Sequence, residues 1–159
     1  MINLSLAGNN IQTVDWTLLP MQTLKRLDLS GNHLTEIPGY QNVALTEQRD
    51  FAGVWRMMPS TDGAVNRWKD VPSTVERVNL GGNRIANVKE TFKYFPNLTV
   101  FDLGYNRIEV LPSGFLQGFG QLRSVNLSGN ELKNLSEGVF VGLPQLNDVD
   151  LSFNKLTVS

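Results

Sequence analysis

Cysteine is the most informative absence from this chain of 159 residues. Small secreted domains usually depend on disulfide bonds, so a chain without cysteine cannot be held together in that way. The same absence removes the thiolate that cysteine enzymes use as a nucleophile and that structural zinc sites use as a ligand. We therefore expect neither a disulfide framework nor a thiolate metal site.

Charge, histidine and long apolar runs are also scarce. The formal net charge is −1, with 14 basic and 15 acidic residues, so there is no overall positive field to attract nucleic acid or anionic lipid. No apolar run approaches the roughly 20 residues needed to cross a bilayer. The single histidine, His33, lies in a turn and provides no base for a hydrolytic triad. We predict a protein that is not an enzyme, with no cofactor, no metal, no nucleic-acid partner and no membrane insertion within this segment.

What the chain does contain is an internal repeat. The template L-x-x-L-x-L-x-x-N-x-L fits six times, and the matches begin near residues 1, 24, 75, 98, 122 and 146, at intervals of 23, 51, 23, 24 and 24. In each match, apolar side chains alternate along a short strand, and an asparagine follows where the chain turns away. Those asparagines are Asn9, Asn32, Asn83, Asn106, Asn130 and Asn154.

These residues resemble the leucine-rich repeat family over nearly the whole chain. The period and the stretch Leu111-Pro112-Ser113-Gly114-Phe115 look like the 23–24-residue "typical" subclass found in receptor ectodomains. The resemblance implies an α/β-type solenoid, an arc with a parallel concave sheet of short strands and an irregular or short-helical convex side. We expect residues 1–159 to form a single domain of this kind. Because no repeat closes its own core, neighbouring repeats must stack, with asparagines bonding the buried turns.

The interval of 51 residues between Leu24 and Val75 departs from the period and predicts either a degenerate repeat or an insertion at about residues 41–70. Spacing favours a degenerate repeat that begins at Phe51. Trp68 follows Phe51 by 17 residues, as Phe92 follows Val75.

Two residues of this interval do not fit the template of a regular strand. Arg56 stands where an inward leucine belongs, and Pro59 stands where the asparagine belongs. A buried unpaired arginine would cost several kcal/mol, so the strand should slip, bulge or loop outward.

The concave face is the expected binding surface, because residues that alternate with the inward leucines point out from the sheet. The column between the strand leucines contains aspartate and asparagine in most repeats. These residues are either simply common at this position of the repeat, or they form a polar groove that binds basic or amide groups of a partner. Asp102, Asp148 and Asp150 make the C-terminal half more acidic, while Arg26 and Arg77 flank the long interval. From these columns we predict partner contacts by Arg26, Asp28, Arg77, Asn79, Val100, Asp102 and Asp150.

Four large apolar residues complete the predicted contact set. If a repeat begins at Phe51, Trp55 and Met57 project from the concave side; alternatively, they fold back to cover the broken strand. Tyr105 and Phe153 replace the usual glycine before the asparagine, and they either contact a partner or pack against the intervening repeat.

We therefore expect a receptor-like or adhesion-like recognition module that binds a protein ligand on its concave face. The alternative is a structural subunit, or scaffold, of a large assembly in which neighbouring subunits cover the uncapped ends. The repeats run from Met1 to Ser159 without polar caps, which predicts that the chain is part of a longer protein. The cell compartment stays open, since the subclass favours the cell surface, whereas the lack of cysteine and of a signal peptide favours the cell interior.

Overall fold

A computed structural model describes residues 2–14, 19–20, 23–37, 45–49, 52–53, 55–59, 74–88 and 95–157. Within these ranges the regular elements are all short strands, numbered here in chain order. They are β1 (Ile2–Ser5), β2 (Leu24–Asp28), β3 (Leu45–Arg49), β4 (Trp55–Pro59), β5 (Arg77–Asn79), β6 (Val100–Asp102), β7 (Ser124–Asn126) and β8 (Asp148–Asp150). For β3 and β4 the structure describes the backbone and not the side chains.

Six of these strands form one parallel sheet in the order β1-β2-β5-β6-β7-β8. Each strand belongs to one match of the repeat template. The pairing keeps equivalent template positions side by side, so Leu27 is opposite Val78 and Phe101 is opposite Val125. The solenoid fold with a parallel concave sheet is therefore confirmed.

The inward leucines form a continuous interior column, as the repeat predicts. Leu29, Leu80, Leu103 and Leu127 are all buried, and Leu151 in the last repeat is partly buried against them. Their backbone N–H groups extend the sheet ladder, as in the 2.8 Å bond from Leu103 N to the carbonyl of Asn126. Burial of apolar surface between neighbouring repeats is the main stabilising term in such a stack.

Aromatic side chains fill the wider part of the core in the middle of the stack. Phe101 takes a strand position that is leucine or valine elsewhere, and its ring centroid lies 6.3 Å from that of Phe115 and 6.0 Å from that of Phe119. All three rings are buried. Residues 113–118 and 137–142 on the convex side are turns, so the part of the convex side that the structure describes is irregular rather than helical.

The repeat asparagines form a hydrogen-bonded ladder along one edge of the core. Asn106 is typical, because its amide nitrogen donates towards the carbonyls of Leu80 at 3.0 Å, Leu103 at 3.0 Å and Gly104 at 3.3 Å. Its Oδ1 accepts from the N–H of Ile85 at 3.0 Å. Each interior asparagine thus links its own turn to the preceding repeat and pairs backbone groups that would be costly to bury alone.

The strands that the structure describes within the interval of 51 residues lie outside the concave sheet. β2 pairs directly with β5, and Arg26 is opposite Arg77. β3 and β4 pair with each other as an antiparallel two-stranded sheet. The strand that contains Arg56, β4, is thus not a regular strand of the arc. Whether residues 41–70 are a degenerate repeat or an insertion stays a prediction.

The described residues form no helix that is long and apolar enough to cross a bilayer.

Candidate functional site

The outward side chains of the six-stranded sheet form three columns across the concave face. In the first column, Arg26 and Arg77 are exposed, and Val100 is half-buried. In the second column, Asp28 and Asn79 are half-buried and Asp150 is exposed. The structure therefore brings the predicted contact residues of the sheet together on one surface.

The aspartate and asparagine column is held in place by hydrogen bonds within each repeat. In every case the side-chain Oδ1 accepts from the backbone N–H two residues later, at 2.8 to 3.0 Å. Where that later residue is serine, its hydroxyl donates to the same oxygen, as Ser152 does to Asp150 at 2.6 Å. The column thus has a structural role within each repeat. From the sequence alone, one interpretation was that these residues are simply common in such repeats. The members that make this bond are Asp28, Asn79, Asp102, Asn126 and Asp150.

The third column contains small residues because the second column leans over it. A Cβ added at Gly104 would lie 2.9 Å from Nδ2 of Asn126 and 3.2 Å from Oδ1 of Asp102. Larger side chains would displace these polar groups. The surface beside Gly104 is consequently lined with polar atoms.

Hydrogen bonding to Ser152 lowers the pKa of the Asp150 carboxyl, with the serine hydroxyl as the larger cause and its backbone N–H as the next. A carboxyl with a lowered folded-state pKa stabilises the fold above its unfolded pKa, and this contribution is lost as the pH falls through the folded value. We expect Ser152→Ala to move the Asp150 pKa back towards the ordinary value of an aspartate. Side-chain carboxyl NMR titration of both proteins measures the shift, and an unchanged Asp150 titration in the variant would contradict this assignment.

Positive charge is concentrated in the second and third repeats. Lys25 Nζ lies 2.6 Å from Oε1 of Glu76, and this contact is the largest cause of the lowered Glu76 pKa. Arg77 and Arg26 lower the same pKa by their charge, which places all three cations near one carboxylate. Two arginines on neighbouring strands around one acid leave this part of the concave face positive.

The rim beyond the third column is defined by the residue before each ladder asparagine. All six residues at this position have a left-handed backbone, with φ between +54° and +69°. Four are glycine, for which this conformation has no steric cost. The other two are Tyr105 and Phe153, and an L side chain in this region costs roughly 1–2 kcal/mol. The six positions are Gly8, Gly31, Gly82, Tyr105, Gly129 and Phe153.

Tyr105 leans over the next repeat and still faces solvent. A Cβ added at Gly129 would lie only 2.5 Å from Cδ1 of the Tyr105 ring, so the ring rests directly on that glycine. Tyr105 nevertheless remains 63% exposed, and Phe153 is 79% exposed. Tyr105 therefore packs against the intervening repeat and is also accessible to a partner. From the sequence alone, these two roles were alternatives.

The contact between Tyr105 and Gly129 predicts a specific coupling. Gly129→Ala should lower the free energy of unfolding by more than Gly82→Ala, because both changes strain a left-handed residue by about 1 kcal/mol but only the first also displaces a ring. A Cβ at Gly82 would meet nothing closer than 3.4 Å, which makes it a matched control. Urea denaturation in wild-type and Tyr105→Gly backgrounds completes a double-mutant cycle. Equal costs for Gly129→Ala in the two backgrounds would show that the ring does not press on this glycine.

Trp55 and Met57 do not belong to the concave sheet. Both lie in β4, which pairs with β3 rather than with a strand of the solenoid. Their projection from the concave side was expected only if a repeat begins at Phe51, which itself stays a prediction. Their side chains lie outside the described residues, so their contact with a partner stays a prediction.

Within the described ranges, no group of three or more histidine, aspartate or glutamate side chains is placed to hold a metal ion. The concave face offers hydrogen bonding, charge and apolar contact.

The parallel sheet, the asparagine ladder and the inward leucine column define a solenoid of stacked leucine-rich turns. Profiles of leucine-rich repeats match residues 73–132 and 96–156, and a further profile matches residues 23–40. The chain belongs to the leucine-rich repeat family.

Two curated proteins are similar to most of this chain. A calmodulin-binding receptor kinase of Arabidopsis thaliana is 35% identical over 127 residues, which cover 73% of this chain and 17% of that protein. An adenylate cyclase of Schizosaccharomyces pombe is 33% identical over 132 residues, which cover 80% of this chain and 8% of that protein. The chain thus spans less than a fifth of the length of either relative.

Among solved structures, the TLR13 chain in a crystallised complex with ssRNA13 superposes with a TM-score of 0.67. That chain is 28% identical, and the match covers 93% of this protein and 17% of TLR13. The fold is therefore one that receptor-like proteins share.

Proposed function

We propose that this chain is the recognition part of a larger receptor-like protein and that it binds a protein ligand on its concave face. The observation that carries the proposal is the division of each strand into two sets of side chains. Phe101 and its neighbours point inward and are buried, while Arg26, Arg77 and Asp150 point outward and are exposed. Exposed arginine side chains on the surface of a sheet contribute little to folding, so Arg26 and Arg77 are available for a partner.

The charges across this face favour a protein partner over a nucleic acid. The second and third repeats are positive around Arg26 and Arg77, whereas the fourth to sixth repeats present Asp102, Asp148 and Asp150. A phosphate backbone requires a continuous positive surface, which this arrangement interrupts. A protein ligand with charges of both signs can complement it, and such complementarity directs both orientation and association rate.

We further propose that this segment takes no part in catalysis. Leucine-rich repeat domains are generally recognition modules, and the two relatives named for enzymatic activity match this chain over 8% and 17% of their lengths. Any catalytic activity of the whole protein would then belong to sequence outside this segment.

The experiment uses the absence of cysteine to block one face at a time. The ligand is obtained by cross-linking the full-length protein in cells that express it, and is then purified. Arg77→Cys places a single thiol on the concave face, and Gln117→Cys places one in the convex turn at residues 113–118; both positions are exposed. Each variant is measured before and after conjugation with a 5 kDa polyethylene glycol maleimide, so the unlabelled protein controls for the substitution itself.

We expect the conjugate at residue 77 to reduce ligand affinity at least tenfold and the conjugate at residue 117 to leave it unchanged. The proposal is contradicted if the convex conjugate blocks binding and the concave one does not. It is also contradicted if no protein is cross-linked to the full-length receptor in those cells.

A further inference from the structure

The rim of the last three repeats contains two aromatic side chains for which the fold has no need. Tyr105 and Phe153 occupy left-handed positions that are glycine in the other four repeats, so both strain the backbone. Neither recovers this strain by burial, because the two rings are 63% and 79% exposed. Strained and exposed aromatic residues that stability does not explain are expected at binding sites.

Stacking of the next repeat does not hide a ring at this position. Tyr105 already has repeats five and six after it, and its ring rests on Gly129, yet most of its surface remains accessible. Phe153 lies at the equivalent position two repeats later, about 10 Å away by the ordinary spacing of neighbouring strands. The ring of Tyr105 covers Gly129 of the intervening repeat, and Phe153 follows on the next repeat of the same rim.

The concave columns beside these rings are acidic. The three concave columns of repeats four to six, all within the described residues, contain Asp102, Asp148 and Asp150 and no lysine or arginine. Asp148 and Asp150 are exposed on the last strand, and each is already oriented, by Ser124 at 3.0 Å and by Ser152 at 2.6 Å. Lys155 follows Phe153 by two residues and carries a positive charge. This charge is partly neutralised, because its Nζ lies 2.9 Å from Oε2 of Glu131.

Aromatic faces beside fixed carboxylates form a site for a cation that also carries apolar surface. A guanidinium or ammonium group is attracted to the face of an aromatic ring, and its alkyl stem packs on the same ring. A carboxylate within reach pairs with the charged end. An arginine side chain meets both requirements, because its planar group can stack on a ring and form two hydrogen bonds to one carboxylate.

We propose that Tyr105, Phe153, Asp148 and Asp150 form a subsite that binds an arginine- or lysine-bearing segment of the protein ligand. This inference rests on the proposed function, and it specifies where and by what chemistry the C-terminal half of the concave face makes contact. The apolar stem of the cationic residue lies against the exposed faces of the rings, and its charge faces the two aspartates.

The test selects peptides from a phage-displayed library of random 12-residue sequences on the immobilised complete chain. The same selection is made on Tyr105→Gly/Phe153→Gly, which restores the residue found elsewhere along the rim. The matched control is Val110→Ser/Val141→Ser, which removes two exposed apolar residues, 61% and 67% accessible, away from the rim. Asp148→Asn/Asp150→Asn tests the charge alone. Enriched peptides are synthesised and their affinities measured by calorimetry, alongside a single-stranded RNA of random sequence.

We expect the wild-type selection to enrich arginine and lysine, and the selected peptides to bind the rim double variant at least tenfold more weakly. Binding to the control variant should be unchanged. The asparagine variant should lose the preference for arginine over glutamine at the same peptide position. Because glycine relieves the backbone strain, the melting temperature of the rim variant should not fall, which separates a binding role from a packing role.

Three results would overturn this subsite. These are no enrichment of basic peptides, equal affinity for the rim variant, or RNA binding that is lost in the rim variant. If the purified ligand of the full-length protein is still blocked by a conjugate at residue 77 in any of these cases, the recognition function stands and only the subsite fails.

Discussion

Leu103→Asp is expected to abolish cooperative folding of the solenoid. Leu103 is completely buried in the interior column between the third and fifth repeats. Aspartate at this position would place an unpaired carboxylate among apolar side chains, at a cost of several kcal/mol on top of the lost leucine burial. A typical domain is stable by only about 5–15 kcal/mol, so a loss of this size removes most of the stability.

Two further variants separate the buried charge from other effects of the substitution. Leu103→Ala should remain folded with unfolding free energy lowered by about 2–5 kcal/mol, because it leaves a cavity but no charge. Val110→Asp, at a position that is 61% exposed, should change stability by no more than about 0.5 kcal/mol. Circular dichroism and thermal melting distinguish the three. A well-folded Leu103→Asp protein would show that the leucine column does not hold the repeats together.

Asn106→Ala is expected to lower the free energy of unfolding by about 3 kcal/mol, since a buried unpaired donor alone costs about 1–3 kcal/mol. The change removes the acceptor of the Ile85 N–H, which lies inside the ladder. The carbonyls of Leu80 and Leu103 keep a second amide donor from Asn83 and Asn130, so the unpaired N–H is the main penalty. Asn106→Asp should destabilise further, because a carboxylate oxygen would face carbonyl oxygens in place of the amide donor.

Asn9 provides the matched comparison, because it has the same place in the template but lies exposed in the first repeat. Its amide donates only within its own turn, to Leu6 O at 3.0 Å and Ala7 O at 3.3 Å. Asn9→Ala should therefore cost less than about 1 kcal/mol, the ordinary net value of a solvent-accessible hydrogen bond. Urea denaturation of both variants gives the two values. Equal losses at Asn9 and Asn106 would mean that the inter-repeat bonds of the ladder add nothing.

Much of the concave surface could be predicted from the repeat alone. Once the template assigns Leu27 and Leu29 to the interior, Arg26 and Asp28 must point the other way, because successive side chains of a strand alternate. The structure places Arg26, Arg77 and Asp150 on the exposed concave face accordingly.

The hydrogen bonds within the second column were not predictable in the same way. The sequence contains Asp-x-Ser and Asn-x-Gly in successive repeats, and this spacing is the signal that could have revealed a side chain bonding to the backbone two residues on. The amino-acid sequence was compatible with two interpretations of that column: residues that are simply common in such repeats, or a polar groove. The bonds from Ser30 to Asp28, at 3.0 Å from the backbone and 2.6 Å from the hydroxyl, give the column a structural role whatever else it binds.

By itself, the sequence determined the register of the concave strands within the six matched repeats and the positions that are buried, since each repeat specifies the same five positions at nearly the same spacing. Only the tertiary structure decided that β2 lies beside β5 and that the ring of Tyr105 rests on Gly129. The physical reason is the same in both cases. A local sequence pattern defines the direction in which a side chain points. The stacking of whole repeats decides which parts of the chain become neighbours.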